Sequence, residues 1–214
     1  LKQVTLISSI FVGQLSNRNG GAFSLLGNNY QNNIKIIQIK FISNSALVTG
    51  GALWVNFAGA ITVFETLFVN NDAEIGGAVS VYLSKGQMTS LNIISCKFYG
   101  NSALFRGSSL VVKGESGINL ENVNFKDKSS YNIISLYQAE IMFINVTFIL
   151  RTAQNKLISS ESGQVSMMQN VHFVCPFFTF LSEEYTVDEC QESRMCNATK
   201  LEYQCKTCTE NTYS

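Results

Sequence analysis

Apolar residues recur along this chain in a fixed phase relative to a phenylalanine that returns every 23 to 30 residues. The position five residues before each phenylalanine is always apolar, the position two before is mostly β-branched or small, and the position three before is always polar. This pattern predicts short strands whose apolar side chains point inward, with a bend at the polar position. No window shows a sustained helical period, so we expect little helix. The inward column consists of Phe11, Phe41, Phe68, Phe98, Phe125, Phe148 and Phe173.

A pair of glycines begins 8 or 9 residues after each of the first three phenylalanines of the column. Glycine allows a positive φ without steric cost, so each pair predicts a turn into the next strand. Self-similar units of about 27 residues with two or three strands each are typical of a solenoid. The sequence therefore predicts an all-β fold, a right-handed parallel β-helix of about seven coils over residues 1–174, with a small disulfide-rich segment at 175–214. The turn glycines are Gly20, Gly21, Gly50, Gly51, Gly76 and Gly77.

An asparagine stands three residues after the phenylalanine in three of the repeats, at Asn44, Asn71 and Asn101. Successive coils would place these side chains above one another, where stacked amides can form a hydrogen-bonded ladder. The alternative is a ligand or calcium row, but calcium needs repeated carboxylates in the turn, and the chain has only three aspartates. We therefore predict a structural ladder and no metal or cofactor.

Composition and charge narrow the range of partners. The chain has 214 residues, of which 46 % are hydrophobic and 14 % charged, with a formal net charge of zero. Residues 1–64 hold four basic and no acidic residues, whereas residues 174–214 hold three basic and seven acidic ones. The basic end lacks the dense Lys and Arg stripe of nucleic-acid binders, and no apolar run reaches the roughly 18 residues that cross a membrane. We expect neither a nucleic-acid partner nor membrane insertion in this segment.

The first coil reads as strand from residue 4 onward, with no capping sequence before it. Two explanations stay open: the chain is a piece of a larger protein, or its open end binds another copy. Opposite charge at the two ends would favour head-to-tail contact, and a heterologous interface that does not close generates a filament.

Six cysteines divide into one isolated residue and a C-terminal group of five. Cys96 falls in the inward column, which predicts a buried thiol. The group comprises Cys175, Cys190, Cys196, Cys205 and Cys208, and such clustering predicts disulfides made in an oxidising compartment. The alternative is a zinc site formed by the C-x-x-C pair, Cys205 and Cys208, together with the C-x5-C pair, Cys190 and Cys196. Asn145 and Asn197 match the N-glycosylation rule. Both features predict a secreted or cell-surface protein.

Two motifs resemble known families. Phe-x-x-Asn followed by Gly-Gly-Ala, over roughly residues 11–110, resembles the repeats of the polymorphic outer-membrane protein family. That resemblance implies an extracellular right-handed β-helix used in adhesion or surface display. The tail from Cys205 onward looks like the start of a growth-factor-receptor or ephrin-receptor cysteine-rich repeat. The combination resembles large surface proteins of single-celled eukaryotes.

Many β-helices cleave polysaccharides with carboxylates stacked on neighbouring coils. Here Glu65 and Glu121 stand at different offsets from their phenylalanines, and the single histidine, His172, is predicted to face outward. We predict no catalytic residue and an extracellular structural or adhesive module that binds protein, either further copies of itself or other surface proteins. The alternative is a carbohydrate-binding or polysaccharide-cleaving β-helix. Its exposed aromatic candidates are Tyr99, Tyr131 and Tyr137.

Overall fold

The fold consists of β-strands throughout the part of the chain that can be described. The computed structural model describes residues 3–27, 33–57, 59–83, 88–127, 132–149, 156–174, 179–187 and 198–207. These residues contain no helix, and their parallel sheets form a β-solenoid of about five turns. The prediction of an all-β parallel solenoid is confirmed.

The described residues contain twenty-four strands. In chain order they are β1 (Gln3–Ile7), β2 (Ile10–Val12), β3 (Leu15–Ser16), β4 (Phe23–Gly27), β5 (Asn33–Ile37), β6 (Lys40–Ile42), β7 (Ser45–Thr49), β8 (Leu53–Phe57), β9 (Gly59–Phe64), β10 (Leu67–Val69), β11 (Asp72–Ile75), β12 (Val79–Tyr82), β13 (Thr89–Ile94), β14 (Lys97–Tyr99), β15 (Ser102–Arg106), β16 (Leu110–Glu121), β17 (Asn124–Lys126), β18 (Ile134–Ile144), β19 (Thr147–Ile149), β20 (Lys156–Glu161), β21 (Gln164–Gln169), β22 (His172–Val174), β23 (Thr179–Val187) and β24 (Ala198–Thr207).

Three sheets run along the solenoid. The first sheet follows the order β1-β5-β9-β13-β16-β18-β20-β24-β23. In the same sheet β12 also pairs with β16, β8 pairs with β12, β4 pairs with β8, and β21 pairs with β18. The second sheet is β2-β6-β10-β14-β17-β19-β22, and the third is β3-β7-β11-β15. Neighbouring strands pair in parallel, except that β24 is antiparallel to both β20 and β23. The backbone of this C-terminal strand pair therefore extends the first sheet beyond β20.

The count of about five turns corrects the expectation of seven coils. The second sheet does have seven strands, but the third sheet has only four and ends at β15. Beyond β15, β16 runs through twelve residues and pairs with both β12 and β13, which are separate strands in the preceding coil. Not every phenylalanine repeat therefore closes a three-sided turn. The right-handed sense of the coil stays a prediction.

The polar position three residues before each phenylalanine forms the corner between the first and second sheets. Every residue there has a positive φ, between 48° and 55°. A residue in the left-handed conformation turns the chain sharply. Residues other than glycine adopt this conformation only where the surrounding structure holds them in it. The expected bend is thus a single-residue corner, formed by Ser8, Gln38, Glu65, Ser95, Asn122, Asn145 and Asn170.

The phenylalanine column forms the centre of the core. Consecutive rings from Phe11 to Phe148 stack with centroids 4.6 to 5.3 Å apart. The rings of Phe41 through Phe148 are fully buried among Ile, Leu and Val side chains of the first sheet. Phe173 lies in β22 in register with Phe148, and its side chain lies outside the described part. Aromatic stacking of this kind adds to the hydrophobic burial that holds one coil on the next.

Candidate functional site

A ladder of buried amides runs beside the phenylalanine column. Asn44, Asn71 and Asn101 are fully buried. The amide nitrogen of Asn44 donates to Oδ1 of Asn71 at 3.0 Å, and Asn71 donates to Asn101 at the same distance. Oδ1 of Asn71 and Oδ1 of Asn101 each also accept the backbone N–H of the asparagine one coil earlier, and Oδ1 of Asn44 accepts the backbone N–H of Gln14. The ladder therefore satisfies both the side chains and the turn backbone inside the core.

Asp127 ends this ladder. Its Oδ1 accepts the backbone N–H of Asn101 at 3.0 Å and the amide of Asn101 at 3.2 Å. Its Oδ2 accepts the hydroxyls of Ser108 and Ser109. Burial raises the pKa of the Asp127 carboxyl above its ordinary value, and the hydrogen bonds from both serines and Asn101 offset part of that rise. Sequence reasoning missed Asp127 because it stands two residues after Phe125, whereas the asparagines stand three residues after their phenylalanines.

The two glycines of each turn have different physical roles. Gly50 has a φ of 66°, and the positive value suits a residue without a side chain. At Gly51 a Cβ would lie 2.2 Å from the carbonyl oxygen of Gly77 on the next coil, so space rather than φ requires glycine. The other turns repeat the scheme, with positive φ at Gly20 and Gly76 and a close carbonyl oxygen at Gly21 and Gly77.

The fourth turn replaces this scheme with hydroxyls. Val79 pairs in register with Leu110, which sets Ser108 and Ser109 in place of the glycine and alanine of the preceding turn. Both hydroxyls bind the Asp127 carboxylate. The loss of the glycine pair after Gly107 and the appearance of a buried acid are thus parts of one local arrangement.

The cysteines and glycosylation candidates are only partly described. Cys96 is a buried free thiol, and burial raises its pKa to about 12. Cys205 lies in β24, but its side chain lies outside the described part, as do Cys175, Cys190, Cys196, Cys208 and Asn197. Asn145 is exposed at its corner, where its amide donates to Asn122 at 3.1 Å and accepts from Asn170 at 3.0 Å.

Glu65, which was weighed as a catalytic candidate, and Asp72, which is another acid of the solenoid, both have local hydrogen-bond partners. Glu65 accepts a hydrogen bond from Gln38 at 2.9 Å, and Asp72 accepts one from the hydroxyl of Ser102. His172 is exposed in β22. Over the residues that the structure describes, no group of three His, Cys, Asp or Glu side chains could hold a metal ion. The same residues include no helix long and apolar enough to cross a membrane.

A cleft lies beside the ends of β11 and β15 in the third sheet and is also lined by residues of β12, β16 and β18 in the first sheet. Its volume is about 380 Å³. Tyr82, Lys113 and Tyr137 occupy one register position on successive coils, and Arg106 closes the cleft from the end of β15. The lining is completed by Ile75 and Phe105.

Two cation–π contacts organise this cleft. The guanidinium of Arg106 lies 5.2 Å from the ring centroid of Tyr137, and Nζ of Lys113 lies 5.8 Å from that of Tyr82. Burial raises the pKa of the Tyr82 hydroxyl, and the positive charge of Arg106 offsets part of the rise. Of the tyrosines named from the sequence, Tyr137 lies in the cleft, Tyr99 lines a groove on the second sheet, and Tyr131 lies outside the described residues.

An apolar strip covers the outer face of the third sheet next to the cleft. Leu47 and Leu104 are 57 % and 58 % exposed, and Val48 and Phe105 are exposed beside them. The strip is interrupted by Glu74, which is exposed between the two leucine-bearing strands. We call this surface the third-sheet strip.

No protein-family model, curated protein or solved structure matches this chain. The resemblance to polymorphic outer-membrane protein repeats therefore stays a prediction from the Phe-x-x-Asn and Gly-Gly-Ala motifs.

Proposed function

We propose that this chain is an extracellular structural or adhesive module that binds other protein surfaces, including further copies of itself, through the outside of its solenoid. The third-sheet strip carries the proposal, because adjacent exposed apolar side chains are typical of interaction surfaces. Leu47 and Leu104 lie two coils apart, or about 10 Å at the usual strand spacing. The strip therefore spans about 10 Å along the solenoid axis.

The extracellular location is supported by three features of the sequence. The C-terminal cysteine group suits an oxidising compartment. The acceptor motif at Asn145 stands at an exposed corner, and the repeats resemble an extracellular family. Intact mass before and after enzymatic deglycosylation, on protein secreted from a eukaryotic host, tests this part. An unmodified Asn145 together with fully reduced cysteines would contradict it.

Sedimentation velocity over a range of concentrations tests the association. We expect the wild type to associate and Leu47→Ser combined with Leu104→Ser to remain monomeric, because the double change removes the two most exposed apolar side chains of the strip. Leu26→Ser is the matched control, since Leu26 is 71 % exposed on β4, outside the strip. A wild type that stays monomeric, or a double variant that associates as strongly as the control, would show that the strip has no such role. Head-to-tail contact, the second mode, would leave the double variant associating in long assemblies that salt dissolves.

A carbohydrate-binding β-helix is the second candidate. The cleft lined by Tyr82, Arg106, Lys113 and Tyr137 favours it, because aromatic walls with a few convergent polar groups are typical of small-molecule sites.

A further inference from the structure

We propose that the cleft formed by Tyr82, Arg106, Lys113 and Tyr137 binds the carboxylate or sulfate group of an acidic saccharide. This inference rests on the second candidate function, and it names a ligand class and the residues that recognise it.

The positive charges in the cleft are available to a ligand. Arg106 and Lys113 are both exposed, and neither forms an ion pair with another described residue. Three acids stand nearby in the sequence or the register: Glu74 precedes Ile75 in β11, Glu115 follows Lys113 by two residues in β16, and Glu161 pairs in register with Tyr137 on the following coil. A bound anion is therefore expected at Arg106 and Lys113, which supply the positive charges of the cleft lining.

The cation–π contact with Tyr137 prepares Arg106 for this role. A guanidinium that lies over a ring uses its face for the contact and keeps the N–H groups on its edge free for a bidentate oxyanion. The Arg106 side chain is already held over Tyr137, so less side-chain entropy is lost when the anion binds. Lys113, one coil earlier than Tyr137 and placed over Tyr82, supplies a second charge to the same cleft.

The rest of the cleft suits a sugar more than a free inorganic anion. A volume of about 380 Å³ is much larger than a sulfate requires and lies within the range of small-molecule sites. Tyr82 and Tyr137 are half-buried, and a tyrosine presents an apolar ring together with a hydroxyl. A sugar ring has the matching combination of C–H bonds and hydroxyls. The acidic group would thus fix the ligand's position while the tyrosines contact its ring.

Calorimetric titration with four probes tests this assignment. The probes are trigalacturonic acid, its methyl ester, a sulfated galactose trisaccharide and inorganic sulfate. We expect at least one of the two acidic trisaccharides to bind at least about tenfold more tightly than both the methyl ester and inorganic sulfate, as hydrogen bonds to charged groups predict. The stronger of the two identifies carboxylate or sulfate as the preferred group.

Variants assign the binding to the cleft. Arg106→Gln and Lys113→Gln should each weaken the acidic trisaccharide about tenfold, and Arg106→Lys should fall between Arg106→Gln and wild type because it keeps the charge without the planar fork. Lys97→Gln is the matched control, since it removes one exposed charge from the second sheet. Tyr137→Leu should weaken binding by removing the stacking partner of Arg106, and unchanged thermal unfolding midpoints verify that the variants are folded.

Several results would overturn the inference. Absence of binding by both acidic trisaccharides, equal binding of the methyl ester, or equal binding of inorganic sulfate would each do so. An equal loss in Lys97→Gln would show that only general charge attraction is measured. Because these variants retain Leu47 and Leu104, sedimentation of the same proteins separates failure of the cleft from failure of the proposed adhesive function. Equal binding of the methyl ester in the cleft would leave carbohydrate binding standing and refute only the recognition of charge.

Discussion

Asp127 offers the sharpest test of how this solenoid is held together. Two N–H groups of Asn101, the backbone N–H and one side-chain N–H, are buried in a fixed geometry and donate to Asp127. Replacement of Asp127 by alanine removes the only described acceptor of both. A buried donor without a partner costs about 1–3 kcal/mol. Two such donors give about 2–6 kcal/mol, while the hydroxyls of Ser108 and Ser109 can rotate. We therefore expect Asp127→Ala to lower the free energy of unfolding by about 4 kcal/mol.

We expect Asp127→Asn to affect stability much less than Asp127→Ala does. The amide oxygen can accept both donors of Asn101, and the amide nitrogen can donate to the oxygens of Ser108 and Ser109. The change also removes an ionisable group from the core and extends the asparagine ladder by one coil. We expect the stability of this variant to lie within about 1 kcal/mol of wild type near neutral pH, or above it.

The pH dependence has a definite sign. Because burial raises the pKa of Asp127 in the folded protein, the folded state holds the proton more tightly than the unfolded state does. Asp127 therefore contributes most to the free energy of unfolding below about pH 4, which is the ordinary pKa of aspartate. This contribution declines as pH rises toward the pKa of the folded state. Relative to Asp127→Asn, the wild type should lose stability over that window.

Urea unfolding followed by circular dichroism, from about pH 4 to about pH 8, measures both effects. Asp72→Asn is the control, because it makes the same chemical change at an exposed position and should alter stability by less than about 0.5 kcal/mol. Two results would refute the reasoning: Asp127→Asn as damaging as Asp127→Ala, or a wild type that gains stability over Asp127→Asn as pH rises.

Three further predictions concern the core and the turns. Phe98→Ala should lower the free energy of unfolding by about 3–5 kcal/mol, because the ring is fully buried between two stacked neighbours. Glu65→Ala should leave the stability nearly unchanged, and thermal unfolding of both variants measures the difference. Gly77→Ala should be strongly destabilising, since the added Cβ would lie 2.0 Å from a backbone oxygen of Ser102, and Gly117→Ala should be tolerated because nothing lies within 4 Å. Cys96, with a pKa of about 12 from burial, should resist alkylation by iodoacetamide near pH 8 until the protein is unfolded, so fast labelling of the folded protein would contradict the buried position.

The sequence by itself determined the architecture, because a solenoid repeats one set of physical demands in every coil. An inward ring, a polar corner and a glycine turn must recur in phase, so the phenylalanine period was sufficient to predict parallel β-coils. The sequence overestimated the number of turns, since a phenylalanine marks a strand of the second sheet whether or not a strand of the third sheet follows it.

Only the tertiary structure decided which polar side chains meet. Tyr82, Lys113 and Tyr137 stand 14, 15 and 12 residues after their phenylalanines, yet they share one register position. Asp127 joins the amide ladder one residue earlier than the asparagines do. The physical reason is that turns of unequal length shift the sequence offset, whereas the backbone hydrogen bonds between parallel strands set the alignment of the coils.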